Sequence, residues 1–182
     1  MSKQKLDVLD KKILTLISAN ARVPFLEIAR ECSVSGAAIH QRVQKLKRRG
    51  IIEGSEFLIN NYRIGYQTCA FVGINLLNTG YANNVIAKLR EIPEIVECHF
   101  ATGRFAMFVK IYAKDNHNLL QIIVDKITQI DGVINTETFQ MSLEEVFHRQ
   151  ITNFDDVEYK GDEDDVEEIA DEDLEDDEDF DY

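Results

Sequence analysis

The chain has 182 residues, 45% of them hydrophobic, with 20 Lys and Arg against 33 Asp and Glu and a formal net charge of -13. That apolar content implies folded cores in one ordinary domain or two small ones, and the longest apolar runs fall short of the roughly 20 residues that span a bilayer, so neither a disordered chain nor a membrane partner is expected. The charge is unevenly spread: residues 154–182 hold 18 acids against the single Lys160, whereas residues 1–60 hold 11 Lys and Arg against 6 Asp and Glu.

In DVLDKKILTLISAN, residues Leu9, Ile13, Leu16 and Ile17 recur at helical spacing, with Asp7 or Asp10 suited to the N-terminus and Asn20 to the end. PFLEIAREC predicts a short second helix with Pro24 at its first position and Leu26, Ile28, Ala29 and Cys32 along one side. Cys32-Ser33-Val34 is too brief a break for a wandering loop, and Ser35 is a natural N-cap for a third helix running to about Arg49. Two short helices joined by such a turn read as helix-turn-helix.

On the third helix Ile39, Val43 and Leu46 share one face and must pack inward, while Ala37, Gln41, Gln44, Lys45 and Arg48 share the opposite face. A helix that enters a DNA major groove needs small residues where it approaches, amides or cations that reach base edges, and cations for phosphates. Ser35, Gly36, Ala37, His40, Gln41, Gln44, Lys45, Arg48 and Arg49 are therefore the candidate contacts to double-stranded DNA, with His40 on the flank. Arg42, Lys45, Lys47, Arg48 and Arg49 form a basic strip without an acid. The plain alternative is a solvated cationic face, but charged surface helices usually mix signs. After Gly50, IIEGSEFLINN alternates around Gly54 and predicts a small hairpin, a wing. Tyr62 to Gln67 reads as a linker.

The second half changes rhythm. TCAFVGINLL predicts a strand, NNVIAKLREI a helix with Val85, Ile86 and Leu89 inward, and VECHF and FAMFVKIYA two more strands around Gly103. NLLQIIVDKITQI predicts a helix with Leu119, Ile122, Ile123 and Ile127 inward, and GVINTETFQMSLEEVF a closing strand. This βαββαβ order gives a four-stranded antiparallel sheet with helices on one face, the ferredoxin-like arrangement. The other face is apolar enough to call for burial by a second copy.

The acidic end has too few apolar residues for a core and is expected to be disordered, as a solubilising tail or as a DNA mimic that competes for the basic strip. Cys32, Cys69 and Cys98 are odd in number and lack C-x-x-C spacing, so buried or inert thiols in a reducing compartment are expected, and the cytoplasm is the expected location. No catalytic triad, Gly-rich phosphate loop or metal-ligand spacing of His40, His99, His117 and His148 emerges, so no enzyme, cofactor or metal is expected.

LDVLDKKIL, LEIAREC-S-VS and RVQKLKRRGIIEG, followed by a βαββαβ unit with ECHFATG and GVINTET, resemble the Lrp/AsnC (feast/famine) family of transcription regulators from residue 6 to about 150. The resemblance implies an α+β chain: a winged helix-turn-helix DNA-binding domain over residues 1–60, a linker over 61–67, a ferredoxin-like RAM domain for dimerisation and effector sensing over 68–150, and an acidic tail over 151–182. It also implies sequence-specific regulation of transcription modulated by a small molecule such as an amino acid, with homodimers that in the family often form octamers; a largely sequence-blind architectural role is the alternative. The family's effector pocket maps onto Thr102, Gly103, Arg104, Phe105, Ala106, Thr136 and Thr138. Two departures stand out. Ser33 occupies a turn position where many members have glycine. Gly103-Arg104-Phe105-Ala106 replaces a common G-[DE]-x-D turn, and its arginine suits a carboxylate or other anion, or is a plain surface side chain.

Overall fold

The computed structural model describes residues 3–142, 147–154 and 158–160. They divide into two compact units, the first built from residues up to Glu56 with the described residues from Arg149 onward, the second from Phe57 to His148.

In the first unit β1 (Lys3–Lys5) precedes α1 (Val8–Ala19), α2 (Phe25–Cys32) and α3 (Gly36–Arg48). Asp7 caps α1, its carboxylate accepting from the Asp10 amide at 2.7 Å, and the capping box is completed by Asp10 reaching back to the Asp7 amide. Ile13, Leu14, Ile28, Ala29, Ile39, Val43 and Leu46 form the buried core, with Leu9, Leu16, Ile17 and Phe154 packed against it. Leu14 joins the core although the helical reading omitted it, whereas Leu26, expected inward, is 67% exposed. Pro24 stands one residue outside α2 as its N-cap. Ser33 ends α2 in the left-handed region at φ 57°, the conformation that favours glycine. The amides of Ser33 and Val34 bond back to Arg30 and Ala29 at 3.2 and 3.0 Å.

The hairpin expected around Gly54 is not formed: residues 51–60 contain no strand. The amides of Ile51 and Ile52 instead close α3 by bonding to the Leu46 carbonyl at 3.0 and 3.3 Å, and their side chains pack on the three-helix core. Phe57, Leu58 and Ile59 beyond them are exposed, with no face to hold a second strand. A different strand pair serves this unit. β6 (Glu158–Lys160) runs antiparallel to β1, with Lys3 opposite Lys160 and Lys5 opposite Glu158. Part of the segment expected to lack structure is therefore paired, and residues 155–157 and 161–182 lie outside the described residues.

The second unit contains β2 (Thr68–Leu76), α4 (Ala82–Arg90), β3 (Ile95–Phe100), β4 (Met107–Ala113), α5 (Asn116–Gln121) and β5 (Val133–Met141). The strands pair antiparallel in the order β3-β4-β2-β5. Ala70, Val72 and Ile74 of β2 and Met107, Val109, Ile111 and Ala113 of β4 point to one face and are buried with Val85, Leu89, Leu119, Ile122, Ile123 and Ile127 of the helices. After Gln121 the helix continues as a π-helical segment over Ile122–Ile127, in which the Thr128 amide bonds to the Ile123 carbonyl at 2.9 Å. The wider turn keeps Ile122 and Ile127 on the sheet side and leaves Lys126 outside, 3.1 Å from Glu94. Of the three cysteines Cys69 is buried, Cys32 half-buried and Cys98 exposed. No described helix is long and apolar enough to cross a membrane.

Candidate nucleic-acid interface and effector region

α3 owes its place to its first residue outside the helix and its three inward ones. Ser35 caps it by accepting the Ala38 amide at 3.2 Å, and Ile39, Val43 and Leu46 pin one side to α1 and α2. At about 100° per residue, Ala37, Gln41, Gln44, Lys45 and Arg48 fall in one sector opposite that anchor. Ala37, Gln41 and Arg48 are exposed, Gln44 and Lys45 half-buried. A Cβ at Gly36 would stand 3.4 Å from the Leu26 side chain, an ordinary van der Waals contact, so the position has room for a small side chain. His40 is exposed at the sector's edge, its ring edge-on to Phe25 at 6.0 Å. Arg49 is the C-cap and half-buried, off the main sector.

Arg42 departs from the basic strip in which the sequence places it. Its guanidinium turns back to α1, bonding to Asp7 and, at 3.1 Å, to Asp10, whose side chain is buried. Burial alone would raise the Asp7 carboxyl, but the Asp10 amide and Arg42 outweigh that and hold it below its ordinary value. Arg42 therefore joins α3 to α1 and is spent on that task. The strip's outward cations are the ones further along the helix.

In the second unit the candidate effector residues separate. Thr102, Gly103 and Arg104 are exposed on the β3–β4 turn, with Phe105 buried and Ala106 half-buried. Arg104 bonds to Glu137 of β5 at 2.7 Å and lies 5.3 Å over the Phe105 ring. Glu137 pairs with Gly73, which pairs with Phe108, so this group stands on the sheet face away from the helices. Thr136 and Thr138 pair with Ile74 and Val72, whose side chains are buried under the helices, and so belong to the opposite face. Within one chain the expected pocket residues do not all meet. Sequence reasoning missed Glu137; only the sheet order brings it to Arg104.

The face away from the helices is aromatic. Phe105 stacks edge-on against Phe108 and Phe139 at 5.1 and 6.2 Å, and Lys110 lies over Phe71 and Tyr112 at 5.9 and 5.6 Å. Lys110 also bonds to Glu97 at 3.2 Å; burial raises that carboxyl, yet Lys110 and His99 hold it below its ordinary value. A separate open cleft of about 290 Å³ between α4 and β3 is lined by Ile86, Arg90, Val96, Cys98 and Phe100 among others, and none of the expected effector residues borders it.

A family model described as the AsnC-type helix-turn-helix domain matches residues 6–47, and one described as the Lrp/AsnC ligand binding domain matches residues 69–152. Regulatory protein AsnC of Haemophilus influenzae is 37% identical over 133 residues, covering 73% of this chain and 89% of that protein. The solved structure of Escherichia coli AsnC aligns with a TM-score of 0.75 at 32% identity, covering 82% of this chain and 99% of that one. A Neisseria meningitidis transcriptional regulator solved as a complex with L-Met shares the fold, with a TM-score of 0.73 at 21% identity over 80% of this chain and 94% of that one.

Proposed function

Because the chain belongs to the Lrp/AsnC family of transcription regulators, we propose that α3 is the element that reads its operator and that the β3–β4 turn with β5 receives an amino-acid effector. The chain is a sequence-specific DNA-binding regulator and not an enzyme. Gln41 and Gln44 present amides to base edges in the major groove, where a paired donor and acceptor match the adenine edge. Lys45 and Arg48 contact phosphates on either side, and Ala37 lets the helix N-terminus sit close to the groove floor. The observation that carries this reading is the outward sector of Ala37, Gln41, Gln44, Lys45 and Arg48 set opposite the buried Ile39, Val43 and Leu46.

For the second unit, the half-exposed aromatic face built by Phe71, Phe108 and Phe139 supports pairing with a second copy, which gives the regulator the two-fold symmetry that a palindromic site requires. Assembly of dimers into octamers is the further expected step. The effector reading rests on Arg104 and Glu137. An amino acid carries one charge of each sign, so its carboxylate matches Arg104 and its ammonium matches Glu137, and entry of the ligand replaces one ion pair by two. The L-Met complex of the Neisseria relative is consistent with that ligand class.

Selection of bound duplexes from a random pool tests the reading, repeated with each amino acid at millimolar concentration. One enriched inverted repeat is expected, with at least one amino acid changing its recovery. A pool that stays random would overturn sequence reading by α3 in favour of architectural binding.

A further inference from the structure

The first turn of α2 lies along the leading end of α3. A Cβ at Gly36, the first residue of α3, would meet Leu26 Cδ2 at 3.4 Å, and one turn further along α3 the His40 ring stands edge-on to Phe25 at 6.0 Å. These two contacts fix where α2 meets α3. Leu26 is nevertheless 67% exposed, and Phe25 and Val34 at the same corner are exposed too. α2 buries Ile28 and Ala29 instead, and Leu26, two positions before Ile28, projects about 200° around the helix from it. An uncovered leucine thus stands beside the end of α3 that approaches the groove.

We propose that Leu26 reads a thymine, its side chain lying against the C5-methyl group of a thymine that flanks the bases met by Gln41 and Gln44. It is then a specificity-determining residue outside α3. The proposal rests on the reading of α3 as the DNA-contacting helix and extends that reading to α2.

Three observations support it. The first is position. α3 opens with Gly36, Ala37 and Ala38, which carry a methyl group at most. A major groove about 12 Å wide is nearly filled by a helix about 10 to 12 Å across, so a leading end this slim leaves space beside it, and Leu26 borders that space. The second is chemistry. Base edges in the major groove present donors and acceptors, and the thymine methyl is the apolar exception. Leu26 can neither donate nor accept, so withdrawing apolar surface from water against that methyl is the favourable contact open to it there. The third is availability. Phe25 is engaged with His40, and Ile28 and Ala29 with the core, whereas Leu26 keeps most of its surface uncovered. That surface is continuous with the face of α3, so the duplex that α3 meets is the partner within reach.

The contact adds discrimination rather than general attraction. Random duplex held through phosphates does not engage it, whereas an operator with thymine at that step does. Burial of one methyl group corresponds to about a fourfold change in affinity per contact.

The test replaces each thymine of the selected operator in turn by deoxyuridine, which pairs identically and lacks only the methyl. The native chain, Leu26→Ala, Leu26→Met and Gln41→Ala are measured on each duplex and on random DNA. The native chain is expected to lose about fourfold at one thymine position per half-site. Leu26→Ala is expected to lose the same factor on the thymine operator, to be indifferent to uracil at that position, and to keep the native affinity for random DNA and the native salt slope. Leu26→Met keeps an apolar reach and restores sensitivity to the methyl. An operator without thymine in that flank, a native chain that tolerates uracil at every position, or a Leu26→Ala loss equal on thymine and uracil duplexes would overturn the thymine contact. With any of these, a loss in Gln41→Ala confined to the operator leaves the reading of α3 standing. No loss in Gln41→Ala on the operator overturns that reading, and the thymine contact with it.

Discussion

Arg42→Ala lowers the stability of the DNA-binding unit by about 2 to 3 kcal/mol while leaving DNA affinity within about twofold at temperatures where the unit stays folded. Asp10 is nearly enclosed, and removing its cation leaves a carboxylate in the core between α1 and α3. The fully buried case costs about 3 to 5 kcal/mol; the Arg42 side chain is 33% exposed, so water recovers part of the loss. Chemical denaturation measures the cost, and Arg42→Lys recovers some of it because a point charge replaces the fork. The pH dependence follows from the lowered Asp7 carboxyl. A depressed folded-state value stabilises above the unfolded-state value, about 3.9 for aspartate, and that contribution disappears as pH falls through the lower folded value. The gap between the native protein and Arg42→Ala is therefore constant near neutrality and narrows below about pH 4. An unchanged unfolding curve for Arg42→Ala would show that the contact does not hold the helices together.

Gly73→Ala destabilises the second unit by about 1 to 3 kcal/mol, through overpacking. A Cβ at this position stands 2.7 Å from the Phe105 ring, closer than any real contact allows, and neither neighbour yields easily: Gly73 lies in the central strand β2 and Phe105 is wedged against Phe108 and Phe139. Displacing the ring also carries away the platform under Arg104, so the Arg104–Glu137 pair loosens and the response to an effector weakens. A double-mutant cycle isolates the contact: Phe105→Ala removes the ring that Gly73→Ala strikes, and the double variant costs less than the sum of the two. Additive losses would place the strain elsewhere.

The contrast between these two sites shows what the sequence carries. The inward and outward sides of α3 are legible because both follow from one helical period, which Ile39, Val43 and Leu46 announce without reference to any other segment. Arg42 is not legible in that way. It sits in a run of cations, and its partners lie more than thirty residues earlier, so only the packing of α3 on α1 reveals that it faces inward. The βαββαβ order is similarly local and legible, strand by strand. Which residues share a sheet face across strands depends on register, and there Thr136 and Thr138 part from Arg104 and Glu137. The π-helical segment leaves no trace in the apolar spacing, because Leu119, Ile122, Ile123 and Ile127 satisfy an ordinary helical pattern equally well. The hairpin around Gly54 fails for a related reason: its alternation is real, but the amides that would start the strand are taken by the end of α3.

The central claim, that α3 reads bases with its amides and holds phosphates with its cations, is tested most directly by comparing Gln41→Ala and Arg48→Ala on the selected operator and on random duplex over a range of salt. Gln41→Ala is expected to cost about 1 to 3 kcal/mol on the operator and almost nothing on random DNA, whereas Arg48→Ala weakens both and reduces the salt slope by about one. Equal losses from Gln41→Ala on operator and random duplex would contradict base reading by this face.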